Sequence, residues 1–300
     1  AVTDELVARG HRVRLVNRSG RPAGVPEVPA VEWVRADAVD PAATTAAAEG
    51  ASVVYFALNP PYHQWSELFP SLQANVLAAA KAAGARLVAM ENVYMYGPTG
   101  GTPLVETLPA AATTRKGRVR AAMHEYLMAA HAAGDVAVAV GRASDFVGPR
   151  VLESAIGNRA VPALIAGKKA QMVGDPDQPH TYTYMPDIGV ALANLGERDE
   201  AIGETWHIPA AATVTTREYV QLLADAAGTG EARIQGVPKL MLRAVGIFNP
   251  AAREMIEMLY QFEEPFILDH SKYVATFGDH STPLEAAATA TVAWYRTLAG

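Results

Sequence analysis

Short apolar runs rich in β-branched residues alternate with helical stretches through the first half of the chain, and this alternation leaves few folds open. Segments 13–16, 31–35, 52–57, 86–90 and 136–140 read as strands. Between them, 41–49, 65–83 and 114–133 read as helices, the last two stopped by Gly84 and Gly134. Continuously apolar strands are buried on both faces, and parallel neighbours need helical crossovers. The pattern predicts an α/β chain, a Rossmann-type doubly wound parallel sheet with right-handed crossovers.

Beyond Gly148-Pro149 the pattern loosens into strands at 181–184, 204–208 and 232–236. Helices are expected to open at Asp187 and to cover 216–227, 239–245, 251–262 and 284–298. This half predicts a smaller, mixed C-terminal lobe. The expected division is a dinucleotide-binding core over 1–148 and a mainly substrate lobe over 149–300, with 180–210 returning to the core. The opening is unusual. Residues 1–10 read as an amphipathic helix ending at Gly10, and 11–16 as the second strand of a Rossmann unit rather than the first. The first strand and its Gly-rich phosphate turn are expected upstream, in a segment of roughly a dozen residues. No G-x-G-x-x-G occurs in the chain, and Gly97-Pro98-Thr99-Gly100-Gly101 has the wrong spacing.

Composition narrows the partners. Half the residues are hydrophobic and 19% are charged, ample for a buried core. The net charge of -6, without a basic run, argues against nucleic acid. With no Cys there is no disulfide, thiolate metal site or Cys nucleophile. No H-E-x-x-H or EF-hand spacing points to a metal, and no G-x-S-x-G to a Ser nucleophile. Charges interrupt every alanine-rich stretch, so no membrane span is expected. Asp4, Glu5 and Arg9 speak against a signal peptide, and a cytoplasmic location is the default.

Five motifs in order carry a resemblance over essentially the whole chain. They are Glu5 to Gly20, the Ala36-Asp37 pair, Tyr94-Met-Tyr96-Gly97-Pro98, Gly141-Arg142-Ala-Ser144-Asp145-Phe-Val-Gly148-Pro149, and Tyr184-Met-Pro186-Asp187-Ile188. Together they resemble the extended short-chain dehydrogenases, the NAD-dependent epimerase/dehydratase family. The resemblance implies a nicotinamide cofactor and a small carbonyl or hydroxyl substrate, such as a nucleotide sugar. Helices 65–83 and 114–133 match those that pair family members into homodimers, although the same faces could pack internally.

Cofactor choice is read at the end of the second Rossmann strand. An acid there holds the ribose 2′-OH of NAD; here the place reads Asn17-Arg18-Ser19. A guanidinium can hold a 2′-phosphate, so NADP(H) is preferred and NAD(H) stays possible. The plainer alternative for Arg18 is a solvated turn. By resemblance Asp37 would meet the adenine, with a turn role before Pro41 as the alternative. Ala57 and Asn59 would border the cofactor.

The catalytic positions depart from the family. Asn92 stands where the resemblance places Ser or Thr, Lys116 where it places Tyr, and Arg120 where it places Lys. Lys116 could act as acid or base or polarise a carbonyl, and could also touch the cofactor. Arg120 cannot share protons. The alternative is a basic helix start, solvated or binding cofactor phosphate and ribose. Tyr94 and His63 are further candidate proton donors, with Tyr94 and Tyr96 expected on alternate faces. Tyr62, Tyr96, Ser144 and His180 are candidate substrate contacts, and Asp187 reads as an N-cap. The sequence thus points to an NADP(H)-dependent oxidoreductase or epimerase/dehydratase-like enzyme. The alternative is an inactive NADP(H)-binding regulator or scaffold.

Overall fold

The structure is a computed structural model that describes residues 1–22, 25–237 and 256–298. It divides into two compact units. The first comprises 1–95, 115–142 and 189–206, the second 96–114, 143–188 and 207–300. The chain therefore leaves the first unit already at 96–114.

In the first unit, helix α1 (Val2–Ala8) leads into β1 (Val13–Asn17), which pairs in parallel with β2 (Val31–Arg35) in the register Asn17 to Arg35. Asp40 caps α2 (Pro41–Ala48) by accepting from the Ala42 and Ala43 amides. Next come β3 (Val53–Phe56), α3 (Trp65–Ala83), β4 (Arg86–Asn92), α4 (Arg115–Ala132) and β5 (Val138–Ala143). Strand β3 pairs in parallel with β4, and β10 (Thr205–His207) completes a sheet ordered β10-β5-β4-β3. Among the described residues β1–β2 forms its own ladder, and β1 and β2 are only half buried.

Helix α3 ends at Gly84 with φ +63, a left-handed stop that suits glycine. Its face of Trp65, Phe69, Leu72, Val76 and Ala80 packs with Leu87 and Ala89 of β4 and with Met123 and Leu127 of α4 in one core. Complete burial of each leucine, valine, phenylalanine or methionine among them contributes about 2 kcal/mol.

The second unit holds β6 (Asp145–Val147), α5 (Gly157–Ile165), β7 (Ala170–Val173), β8 (Pro179–His180), β9 (Tyr182–Tyr184), β11 (Val214–Thr215), α7 (Thr216–Ala227) and β12 (Ile234–Val237). Helices α8 (Ser271–Phe277) and α9 (Leu284–Thr297) follow. Helix α6 (Met185–Glu197) runs from this unit into the first. Its core gathers Val161, Leu164, Met172, Tyr182, Tyr219, Leu223 and Val292.

Three expectations change. Asp187 is not an N-cap: α6 begins at Met185, and the Asp187 carboxylate accepts from the Thr282 amide and hydroxyl at 2.8 and 2.7 Å. Tyr94 and Tyr96 do not alternate along a strand, because Tyr94–Tyr96 is a single 3-10 turn. Of the helix expected at 251–262, the described part ends in a 3-10 turn at Leu259–Phe262. Residues 251–255 and the helix expected at 239–245 lie outside the described residues. Among the described residues no helix is long and apolar enough to cross a membrane.

Candidate active site

Within the first unit, the site grows from the end of β4 and the first turns of α4. Lys116 and Arg120 lie four residues apart, on one face of the helix. Both are buried, with 1% and 4% of their surface exposed. The solvated helix start is thereby excluded, and each charge must be met inside the protein.

Aromatic rings face both, and a carboxylate acts on Arg120. The Lys116 Nζ stands 4.1 Å from the Tyr62 ring centre and 5.9 Å from that of Trp65. The Arg120 guanidinium lies 5.0 Å from the Phe69 ring centre and 6.0 Å from that of Trp65. Ammonium and guanidinium groups are attracted to such faces, more strongly where water is excluded. Arg120 also donates to the Met90 carbonyl at 3.2 Å. Burial pulls the Arg120 guanidinium below its ordinary value, and Glu91 opposes that shift.

Glu91, next to Met90 on β4, is the buried anion. Its Oε2 accepts from Arg142 Nε at 2.9 Å and lies 3.5 Å from His124 Nδ1. Burial alone would raise its pKa. Arg142, the nearby His124 and Arg120 outweigh burial and hold it at about 2. Lys116, Arg120 and His124 thus form a stripe at helical spacing, with Glu91 against its far end.

Tyr62 opens a 3-10 turn, Tyr62–Gln64, and sets its ring edge-on to Trp65 at 4.9 Å. Trp65 is fixed by its indole N–H, which donates to the Pro60 carbonyl at 3.1 Å. Tyr94 stacks on Trp65 at 5.9 Å, and the Tyr94 amide donates to Asn92 Oδ1 at 3.3 Å. The structure therefore gathers Lys116, Arg120, Tyr62 and Tyr94 around Trp65. His63 is exposed within the turn, and Ala57 and Asn59 are exposed on the loop before it.

The cofactor candidates form a second group in the same unit. Asn17 Oδ1 accepts from the Ser19 amide at 3.0 Å, folding the chain back at the tip of β1. Arg18 is exposed there, and Arg35 of β2 donates to the Arg18 carbonyl at 3.2 Å. Two guanidinium-bearing residues therefore share one strand tip. Asp37 accepts from the Val39 amide at 3.1 Å, the turn role foreseen as its alternative.

The remaining candidates belong to the second unit and are not gathered together. The Tyr96 hydroxyl and His207 Nε2 are 2.8 Å apart, while His207 Nδ1 faces the Asp269 carbonyl at 2.8 Å. A carbonyl only accepts, so Nδ1 carries the proton and Nε2 accepts from Tyr96. His180 binds Asp145 at 2.8 Å and the Gln261 carbonyl at 3.1 Å, between the rings of Phe262 and Phe266. Ser144 is buried, its amide donating to Thr183 Oγ1 at 3.2 Å. Among the described residues no three metal-ligating side chains cluster.

Trp65, Phe69, Glu91 and Arg35 were not singled out by the sequence as site residues. Glu91 had a signal: a lone carboxylate inside an apolar strand needs a buried partner.

Residues 1–208 match the profile of the NAD dependent epimerase/dehydratase family. The chain belongs to that family. No curated protein matches it. Solved structures share its fold at low identity. An epimerase of Methanothermobacter thermautotrophicus is 15% identical, with a TM-score of 0.80 over 99% of this chain and 88% of its own. A dTDP-glucose 4,6-dehydratase of Streptomyces venezuelae, with NAD and TYD bound, is 19% identical, with a TM-score of 0.78 over 99% and 92%. The Bordetella bronchiseptica enzyme WbmH, in complex with NAD+, is 19% identical, with a TM-score of 0.74 over 98% and 93%.

Proposed function

We propose that this family member is an NADP(H)-dependent oxidoreductase or epimerase/dehydratase-type enzyme acting on a carbonyl or hydroxyl carbon of a nucleotide sugar or similar small compound. The observation that carries this reading is the buried Lys116–Arg120 pair, one helical turn apart on α4, with Arg120 donating to the Met90 carbonyl of β4. Burying two cations is costly, and a fold without use for them would place apolar side chains there.

The roles divide by chemistry. A bound nicotinamide supplies or removes the hydride. Lys116, as an ammonium, donates its proton to the substrate oxygen when a carbonyl is reduced, and it takes that proton back in the oxidising direction. Arg120 keeps its protons and acts as a fixed positive charge beside the developing oxyanion. Asn92 orients the substrate from the place of the usual hydroxyl. Tyr94 and His63 are the alternative proton carriers.

The donor set at the tip of β1 fits an adenosine phosphate. Arg18 and Ser19, with Arg35 alongside, would hold the 2′-phosphate that distinguishes NADP(H). Asn17 would shape the turn. Asp37, Ala57 and Asn59 would border the adenosine. The NAD-bound neighbours leave this preference to be decided by this chain's own residues.

The test is steady-state NADPH oxidation by the full chain against a panel of carbonyl compounds that includes UDP- and dTDP-linked keto sugars. Turnover is expected, and Lys116→Met should lower kcat about 100-fold through loss of the proton donor. Fluorescence titration should find NADPH bound about tenfold more weakly by Arg18→Ala and by Arg35→Ala, with NADH unchanged, each loss being one charge-assisted contact. Equal loss of both cofactors would end the NADP(H) assignment. The closed position of Lys116 under Tyr62 favours one second reading, a regulator that binds NADP(H) without turnover. Tight NADPH binding with no product across the panel would select it.

A further inference from the structure

We propose, resting on the role given to Lys116, that Tyr62 sets which substrates reach that amine. Its ring occupies the place over the ammonium that the substrate's reacting oxygen takes, and binding exchanges ring for oxygen. Tyr62 and Trp65, both beside the Lys116 ammonium, are held differently. Trp65 is buried on α3, packs against Phe69 at 5.0 Å, and is tied to the Pro60 carbonyl. Tyr62 is half exposed and lies in a three-residue turn directly after the exposed Pro61. It is also the nearer ring, 4.1 Å against 5.9 Å. The fixed wall is therefore Trp65 and the movable cover Tyr62.

The exchange has a chemical direction. An ammonium over a π face gives up a cation–π contact when an oxygen arrives, and it gains a charge-assisted hydrogen bond, the stronger of the two. A carbonyl or alkoxide oxygen can displace the ring, whereas an apolar group offers the amine nothing and leaves it covered. The same contact keeps the amine from water and from indiscriminate electrophiles until substrate enters. Selection at this point favours carbonyl compounds slim enough to pass beside Trp65 once Tyr62 swings out.

Amine-directed acetylation with N-acetoxysuccinimide, read at Lys116 by peptide mass spectrometry, tests the cover without needing turnover. Labelling should be slow in the wild type and in Tyr62→Phe, which keeps the ring, and at least tenfold faster in Tyr62→Ala. Tyr62→Leu, which keeps bulk without a π face, serves if the alanine variant loses its cooperative melting transition, and it should also label faster. Among carbonyl compounds that turn over, Tyr62→Ala should lower KM about tenfold, most for the bulkiest. Unchanged labelling in the alanine and leucine variants overturns the proposal, as does a phenylalanine variant that labels as fast as alanine. Faster labelling with no turnover by any form leaves the ring as a cover and instead removes the enzymatic reading.

Discussion

Replacing Glu91 with glutamine is expected to cost the chain about 4 kcal/mol of stability at neutral pH, the penalty of leaving a buried cation without its counter-charge. Glu91 is 3% exposed and Arg142, its partner at 2.9 Å, is 1% exposed, so water cannot replace the lost carboxylate. The expected pH dependence has a definite sign. The folded-state pKa of about 2 lies below the ordinary 4.5. The carboxylate's contribution is therefore complete above pH 4.5 and lost as pH falls towards 2. A depression of that size corresponds to about 3 kcal/mol. Urea unfolding of the wild type and Glu91→Gln at pH 7 and at pH 3 checks this. The gap between the two proteins should narrow on acidification, because only the wild type has a charge to lose. A variant as stable as the wild type at pH 7 would mean that Glu91 is not the anion of this cluster.

That carboxylate also marks how far the sequence could be read. The long elements were legible because their ends carry local chemistry. Helix 65–83 stops at a left-handed Gly84, and helix 216–227 is opened by the Thr215–Glu218 capping box and closed by Gly228. Strands β8, β9 and β11 have two or three residues, too few for any periodicity to register. Helix α5 contains Pro162, which reads as a break, yet it forms because Ala160, Val161 and Leu164 are buried in the lobe core. Asp187 looked like a cap because its real partner, Thr282, is 95 positions away.

At the site, spacing identified Lys116 and Arg120 but not their surroundings. Two basic residues a turn apart normally make a solvated face. What reverses this is a set of aromatic residues from 62 to 94, together with Glu91, and no local pattern connects these to α4. In the same way Arg35 gained meaning only from the parallel register that sets it opposite Asn17. Residue identity was readable at these positions, whereas burial and partnership were properties of the fold.

A backbone contact in the second unit should prove equally unforgiving. Gly174, just after β7, has φ +79, and a Cβ built there would lie 2.4 Å from both the Cβ and the carbonyl oxygen of Phe262. That same carbonyl accepts from the Asp175 amide at 2.7 Å, and the Phe262 ring stacks on His180 at 5.0 Å. Gly174→Ala must therefore displace a main chain already committed on two sides. The left-handed backbone contributes about 1 kcal/mol to the cost and the overpacking up to about 3. A total near 4 kcal/mol should lower the midpoint of thermal unfolding by roughly 10 °C for a chain of this size. Gly228→Ala separates the two causes. Gly228 has φ +69 but nothing within 4 Å of an added Cβ, so its substitution should cost about 1 kcal/mol. Equal losses for the two variants in calorimetry would show that conformation alone matters and that Phe262 yields. The larger loss at Gly174 would show that the 262 segment is anchored by its carbonyl and its ring.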